Sequence, residues 1–434
     1  MMRTLDLRGR ALSTAELLAV VPRATSDVGS AVDAVDALIA EVRQRGSAAL
    51  LEQAERFDRV RPPSLRISGG QLRAAAEALD AGVRAALDEA IDRVRRTTAA
   101  QVPEERVTEV APGARIRQRW QPVDRVGLYV PGGKAVYPSS VVMNVVAAQV
   151  AGVRSIALVS PPQAAHGGSV HPVILGAASL LGVDEVYAMG GAGAIGALAY
   201  GVADLGLEPV QVITGPGNLF VATAKRAVKG VVGIDSEAGP TEILVIADGT
   251  ARAEYVVADL ISQAEHDELA GSVLVTDAPE LADAVAAALP AAVAATRHRE
   301  RVATALAGAQ SAIVLVDDLE QAARFSDAYG PEHLEVQVAD PAALLPHLSN
   351  AGAIFIGDHT PVSLGDYLAG SNHVLPTGGQ ARFAAGLGAY TFLRPQQIIE
   401  YGRDALAAVA AHVGALSDAE HLPAHGDAVR ARFL

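Results

Sequence analysis

Apolar positions in the first hundred residues recur at helical spacing. Val32, Val35, Leu38, Ile39 and Val42 form one stripe; Leu79, Val83, Leu87, Ile91 and Val94 form another. Positions three and four apart share a helix face, so residues 28–100 read as helices with one side in a core. From Arg125 the period changes. Short β-branched runs at 126–130, 155–159, 185–189 and 210–214 alternate with helical stretches at 139–150, 172–181, 194–200 and 219–228. A second series follows Pro240, with strands at 243–246, 273–276, 312–316 and 353–356 and helices at 255–266, 279–296, 319–329 and 342–349. Such alternation predicts parallel sheets covered on both faces. The expected class is α/β: two Rossmann-like parallel-sheet domains, with N-terminal helices and a short helical C-terminal tail. The boundaries read as a helical region over 1–120 packing on the later α/β domain, domains over 121–238 and 239–380, and a tail over 381–434. Ligands are expected in the cleft between the two domains.

Composition narrows the chemistry. Half of the 434 residues are hydrophobic, only 4% are aromatic, and the net charge is −14. Lys134, Lys225 and Lys229 are the only lysines, and no basic stripe interleaves with aromatics, so nucleic acid is not an expected partner. There is no cysteine, which excludes disulfides, thiolate zinc sites and thiol nucleophiles. No run approaches 18 apolar residues and residues 1–10 lack an apolar signal core, so neither membrane nor secretion is expected and the default location is the cytoplasm.

Several polar clusters interrupt the apolar pattern. Gln263 and His266, three apart at the end of a helix-like run, would share a face, and an imidazole there is half of a metal site or merely a helix-end histidine. Gly191, Gly193 and Gly196 match the dinucleotide fingerprint, but Asp204 and Glu208 stand too close for the acidic partner; tight strand–helix packing gives the same pattern. The turns 127–133 and 215–218 follow strands and precede helices, where free N–H groups attract phosphate or carboxylate, though ordinary βα turns look alike. Glu332 and His333 sit side by side after Gly330-Pro331, as an acid–base pair or a solvated loop would. The polar stretch 357–373 holds Asp358, His359, Asp366 and His373, and Asp366 reads as a metal ligand. Glu420, His421 and His425 lie in the tail.

In order along the chain, GLYVPGG, GPGN, AGPTEILVIAD, SQAEHD, YGPEHLE, GDYLAGSNHVLPT and the tail histidine resemble the histidinol dehydrogenase family from about residue 30 to 430. The resemblance implies oxidation of L-histidinol to L-histidinaldehyde and then to L-histidine, the last steps of histidine biosynthesis, with two NAD+ in turn and one zinc per site. It carries the zinc ligands onto Gln263, His266, Asp366 and His425, and the acid–base pair onto Glu332 and His333. Substrate contacts fall at Thr241, Gln263, His266, His333, Asp366, His373, Glu420 and His425; cofactor contacts fall at Tyr129 and Asn218. It further implies a homodimer whose tails cross, so that Glu420 and His425 complete the neighbouring site. One position departs: some members carry Gln in GGAQAI where this chain has Gly193, so no side chain at 193 can touch the cofactor.

Given those roles, a neutral imidazole suits removal of the hydroxyl proton, assigned to His333, and a carboxylate suits activation of water on the aldehyde, assigned to Glu332. Without cysteine a thiohemiacetal is closed, which leaves the hydrate route. Zinc is read as a holder of substrate. The competing readings are a paralogue oxidising another small polar alcohol, a zinc hydrolase and a non-catalytic zinc-binding assembly protein.

Overall fold

The computed structural model describes residues 2–24, 28–132, 136–237 and 239–434. Gly133 of the first turn and Ala238 of AGPTE fall outside them. Among the described residues the strands are β1 (Arg3–Asp6), β2 (Arg106–Ala111), β3 (Ala114–Pro122), β4 (Arg125–Tyr129), β5 (Ser155–Ser160), β6 (Val186–Ala188), β7 (Val212–Thr214), β8 (Gly233–Ile234), β9 (Glu242–Ala247), β10 (Gly271–Thr276), β11 (Ala312–Leu315), β12 (His333–Gln337), β13 (Ala353–Ile356) and β14 (Leu393–Tyr401).

Two sheets are parallel, ordered β6-β5-β4-β7-β8 and β1-β11-β10-β9-β12-β13. Counted from β4 and from β9, the first five strands of each series take the same places, so one doubly wound plan is used twice, and β1 is an added edge strand. Each sheet is buried on both sides. The Pro138–Ala151 and Pro172–Leu180 helices cover one face of the first sheet. The Val28–Arg45, Gly191–Tyr200 and Leu219–Val228 helices cover the other. Around the second sheet, the Ala253–Ala264, Pro279–Ala295 and Arg299–Ala307 helices lie on one face, and Thr14–Val20 and Leu319–Tyr329 on the other. Full burial explains why β9, Glu242-Ile-Leu-Val-Ile-Ala247, reads as an apolar run rather than an alternation.

A third sheet, β14-β3-β2, is antiparallel and largely exposed. The Arg403–Ala419 and Pro423–Arg430 helices follow β14 and pack on each other.

The structure differs from the pattern-based reading in three places. The first strand, β1, belongs to the second sheet, so residues 1–120 are not helical throughout and their opening segment sits on a distant part of the fold. The C-terminal segment holds a nine-residue strand paired to β3 ahead of its two α-helices. His333–Gln337 is a strand between β9 and β13, not a loop. Its His, Glu and Gln alternate with Leu334 and Val336, and all five are buried. Polar side chains on a buried strand mask the apolar signal by which strands are recognised. No helix among the described residues is long and apolar enough to cross a membrane.

Candidate active site

A cleft of about 990 Å³ lies between the two parallel sheets. The first sheet lines it with the segments that follow its strands: Pro131 and Gly132 after β4, Pro161 after β5, Gly190–Ala192 after β6 and Pro216–Phe220 after β7. The strand order reverses between β4 and β7, the place where doubly wound folds open a ligand crevice. Gly215, at φ +113°, lets the two turns close on each other, because a Cβ there would run into the Tyr129 backbone. The Lys225 ammonium holds this turn. It donates to the Gly215 carbonyl at 3.1 Å and pairs with Asp235, which accepts from the Gly215 N–H at 2.8 Å. Asn218 caps the Leu219–Val228 helix, its Oδ1 accepting from Phe220 and Val221 N–H. Tyr129 is buried, and its hydroxyl accepts from the Gly191 N–H at 3.3 Å. Burial pushes that phenol up to about 12.

The second sheet lines the cleft with its opposite edge. Thr241 precedes β9, Glu332 precedes β12 and His333 opens it, so these residues sit at strand beginnings. The Ala253–Ala264 helix runs back to the same edge and brings Gln263 in its last turn. His266 lies beyond that helix, past the Glu265 cap, so the predicted shared helix face is replaced by a turn. Gln263 Nε2 donates to Thr241 Oγ1 at 2.5 Å, and Thr241 Oγ1 donates to Glu332 Oε2 at 2.5 Å. The Glu242 N–H adds a bond to the same Glu332 oxygen at 3.0 Å. Burial pushes the Glu332 carboxyl well above its usual range, against the pull of these donors.

His333 Nδ1 lies 3.0 Å from the Glu242 carbonyl oxygen. A carbonyl only accepts, so Nδ1 carries the proton and Nε2 the lone pair. Burial lowers the His333 pKa and favours this neutral form. His373 is fixed likewise, Nδ1 at 2.8 Å from the Asp366 carbonyl and Nε2 at 3.0 Å from Ser140 Oγ. Glu242 anchors both members of the pair through its backbone. Its own carboxylate points elsewhere, to Arg23 at 2.8 Å and the Tyr329 hydroxyl at 3.2 Å. Ser140 and the Lys225–Asp235 pair belong to no motif singled out in the sequence, and Glu242, though inside AGPTEILVIAD, was given no role there; only the fold brings them here.

His266 Nε2 and Asp366 Oδ2 stand 4.0 Å apart. Gln263 is nearly buried; its Nε2 is engaged by Thr241, and its Oε1 accepts no hydrogen bond among the described residues. Imidazole, carboxylate and amide oxygen together suit zinc. Among the described residues no three His, Asp or Glu side chains are close enough to enclose a metal, so one chain offers three donors including the amide. Glu420 and His425 are exposed on the terminal segment and do not line this chain's cleft. The structure thus brings together Thr241, Gln263, His266, Glu332, His333, Asp366 and His373, faces them with Tyr129 and Asn218, and leaves the two tail residues outside.

Residues 21–433 match the family described as Histidinol dehydrogenase. A histidinol dehydrogenase of Leifsonia xyli subsp. xyli is 67% identical over all of this chain and 99% of its own length. One of Nocardia farcinica is 58% identical over 99% of this chain and 97% of its own. The crystal structure of histidinol dehydrogenase from Elizabethkingia anophelis superposes with a TM-score of 0.93 at 29% identity, covering all of this chain and 98% of the other. The chain belongs to the histidinol dehydrogenase family.

Proposed function

We propose that this protein oxidises L-histidinol to L-histidine in two hydride transfers to NAD+, with zinc as a second cofactor. The observation that carries the reading is the hydrogen-bonded line Gln263–Thr241–Glu332 beside a neutral, tautomer-fixed His333. His333 Nε2 takes the hydroxyl proton as the carbinol hydride leaves, giving the aldehyde. Glu332 takes a proton from the water that adds to the aldehyde. His333 returns its proton to the aldehyde oxygen as that water adds and, neutral again, deprotonates the hydrate as the second hydride leaves, giving the carboxylic acid. Burial raises the Glu332 carboxyl, so its ionised form is a stronger base than an exposed carboxylate. NAD+, when bound against Tyr129 and Asn218, supplies the hydride acceptor.

Gln263, His266 and Asp366 hold zinc from one chain, and His425 of a second copy supplies the fourth donor. Zinc, when bound, supplies Lewis-acid grip on the imidazole and amine of histidinol. Thr241, His373 and the second copy's Glu420 supply further hydrogen-bonding and charged contacts to the substrate. The homodimer is supported by exposed apolar residues on the third sheet and tail, among them Val107, Val110, Ile399, Leu416 and Leu422. A cytoplasmic location goes with this reading.

The test is NADH production from L-histidinol by zinc-loaded protein. Two NADH per histidine formed, lost on chelation and restored by zinc, is the expected result. No NADH from zinc-replete, dimeric protein would defeat the proposal.

A further inference from the structure

Arg23 carries a charge that no step above uses. It follows the Thr14–Val20 helix, ahead of the first long helix, and its side chain is 19% exposed. Its Nε donates to Glu242 Oε2 at 2.8 Å and its Nη2 to Glu242 Oε1 at 3.3 Å, so the fork grips both carboxylate oxygens. The same Nη2 donates to the Tyr329 carbonyl, and to the Gly330 carbonyl at 3.4 Å. The guanidinium carbon lies 3.9 Å from the centre of the Tyr329 ring, whose hydroxyl donates to Glu242 Oε2 at 3.2 Å. Gly379 leaves room for the guanidinium on another side: a Cβ there would stand 2.9 Å from Arg23 Nη1.

These contacts converge on the two segments that hold the acid–base pair. The Glu242 backbone donates to Glu332 and engages His333 Nδ1 through its carbonyl. Tyr329-Gly330-Pro331 is the turn that leads from the Leu319–Tyr329 helix to Glu332 and β12. The last carbonyls of a helix lack helical partners, and Arg23 supplies donors to two carbonyls at this end. A planar fork of N–H donors can serve a carboxylate and two carbonyls together; a lysine ammonium has neither the shape nor the reach in several directions. Without the guanidinium, the Glu242 carboxylate, 5% exposed, would stand unpaired beside Glu332 and oppose negative charge there.

We propose that Arg23 is a positioning residue for this oxidation, holding Glu242 and the 329–330 turn in the register that aims Glu332 and His333 at the substrate. The proposal rests on the acid–base reading of that pair above. It makes the segment ahead of the first sheet's helices part of the active-site framework, although Arg23 does not line the cleft. A residue outside the cleft acts on the reacting groups through Glu242, so its loss falls on turnover and not on ligand binding. A misplacement of an ångström at such a pair is enough to slow the reaction about a hundredfold.

Steady-state kinetics on the zinc-loaded protein, with zinc content measured for each variant, test it. Arg23→Met should lower kcat about 100-fold, with KM for histidinol and for NAD+ unchanged within about threefold and zinc content unchanged. Arg23→Lys keeps the charge without the fork and should remain about tenfold below the unsubstituted kcat. Glu242→Gln should also lower kcat, and the double variant Arg23→Met/Glu242→Gln should be within about twofold of the poorer single variant, because the two groups act as one unit. Added guanidinium should raise kcat of Arg23→Ala about tenfold, and methylammonium should not. A kcat of Arg23→Met within about twofold of the unsubstituted protein would overturn the proposal, as would losses that multiply in the double variant. A defect confined to KM, or one explained by lost zinc, would overturn it too. Should Arg23→Met fail to fold, Arg23→Lys decides, and a full kcat there overturns the proposal. Unsubstituted protein unable to reduce NAD+ with histidinol would instead overturn the reading on which it rests.

Discussion

Thr241 holds two catalytic-site groups through one oxygen: it accepts from Gln263 and donates to Glu332. Valine has the same shape without the hydroxyl. Thr241→Val would leave a buried amide donor and a buried carboxyl each short of one partner, at about 1–3 kcal/mol apiece. The expected outcome is a 10- to 100-fold fall in kcat for histidinol, with Thr241→Ser near normal because either hydroxyl can donate and accept. Equal activity of the Val and Ser variants would remove Thr241 from the line. A second residue-scale prediction concerns Glu335, two residues beyond His333 on the same buried face of β12. Burial, then the neighbouring Asp259 carboxylate, push Glu335 up to about 9. The folded protein therefore keeps a proton that the unfolded chain releases near 4.5. This contribution is full below that value and is lost as pH rises toward 9, with a slope of at most about 1.4 kcal/mol per pH unit. Glu335→Gln removes the titration. Its melting temperature should match the unsubstituted protein near pH 5 and exceed it increasingly up to pH 9; a constant difference would refute the assignment.

At the scale of elements, the alternation of β-branched runs with amphipathic stretches was enough to place β4 to β7, β9 to β11 and β13, because parallel strands buried on both faces are locally distinctive. β12 was hidden because three of its five residues are polar, and the first of them, His333, faces the cleft. The antiparallel β2, β3 and β14 were hidden for another reason: β2 and β14 are largely exposed, β3 is only half-buried, and charged and amide side chains break up their few apolar positions. The helix bearing Gln263 was read two residues too far at its C-terminal end, since a turn held by the bond from His266 N–H to the Gln263 carbonyl imitates its continuation. Motif residues were legible individually, but their partners were not. Lys225 illustrates this: a lone lysine on a helix gives no hint that it braces the 215–218 turn from beneath. Lys225→Met breaks a buried pair and strands the Asp235 carboxylate, at a cost of about 3–5 kcal/mol. Chemical denaturation should show that loss, and KM for NAD+ should rise as the turn loosens. A variant of unchanged stability would mean the pair is not formed in solution.

At the scale of the whole molecule, the tail decides whether one chain is a complete enzyme. Two residues assigned to the site by the resemblance, Glu420 and His425, lie on a terminal segment whose helices pack on each other, away from the chain's own cleft. Motif order located them, but which subunit they serve cannot be written in a single linear sequence; it depends on how two copies meet. If His425 serves the neighbour, subunits defective at different places can complement each other. His333→Ala disables the cleft and leaves the tail sound, whereas His425→Ala disables the tail and leaves the cleft sound. In a hybrid dimer with crossed tails, one site collects both defects and the other has none. Random mixing makes about half of the dimers hybrid, each with one intact site, so activity should return to about a quarter of the unsubstituted level. If each tail serves its own cleft, every site in the hybrid carries one defect and the mixture stays inactive. Coexpression of the two variants under separate affinity tags, purification of the doubly tagged species and an NADH assay with histidinol distinguish these outcomes. The hybrid alone should then reach about half of the unsubstituted rate, with zinc at one of its two sites.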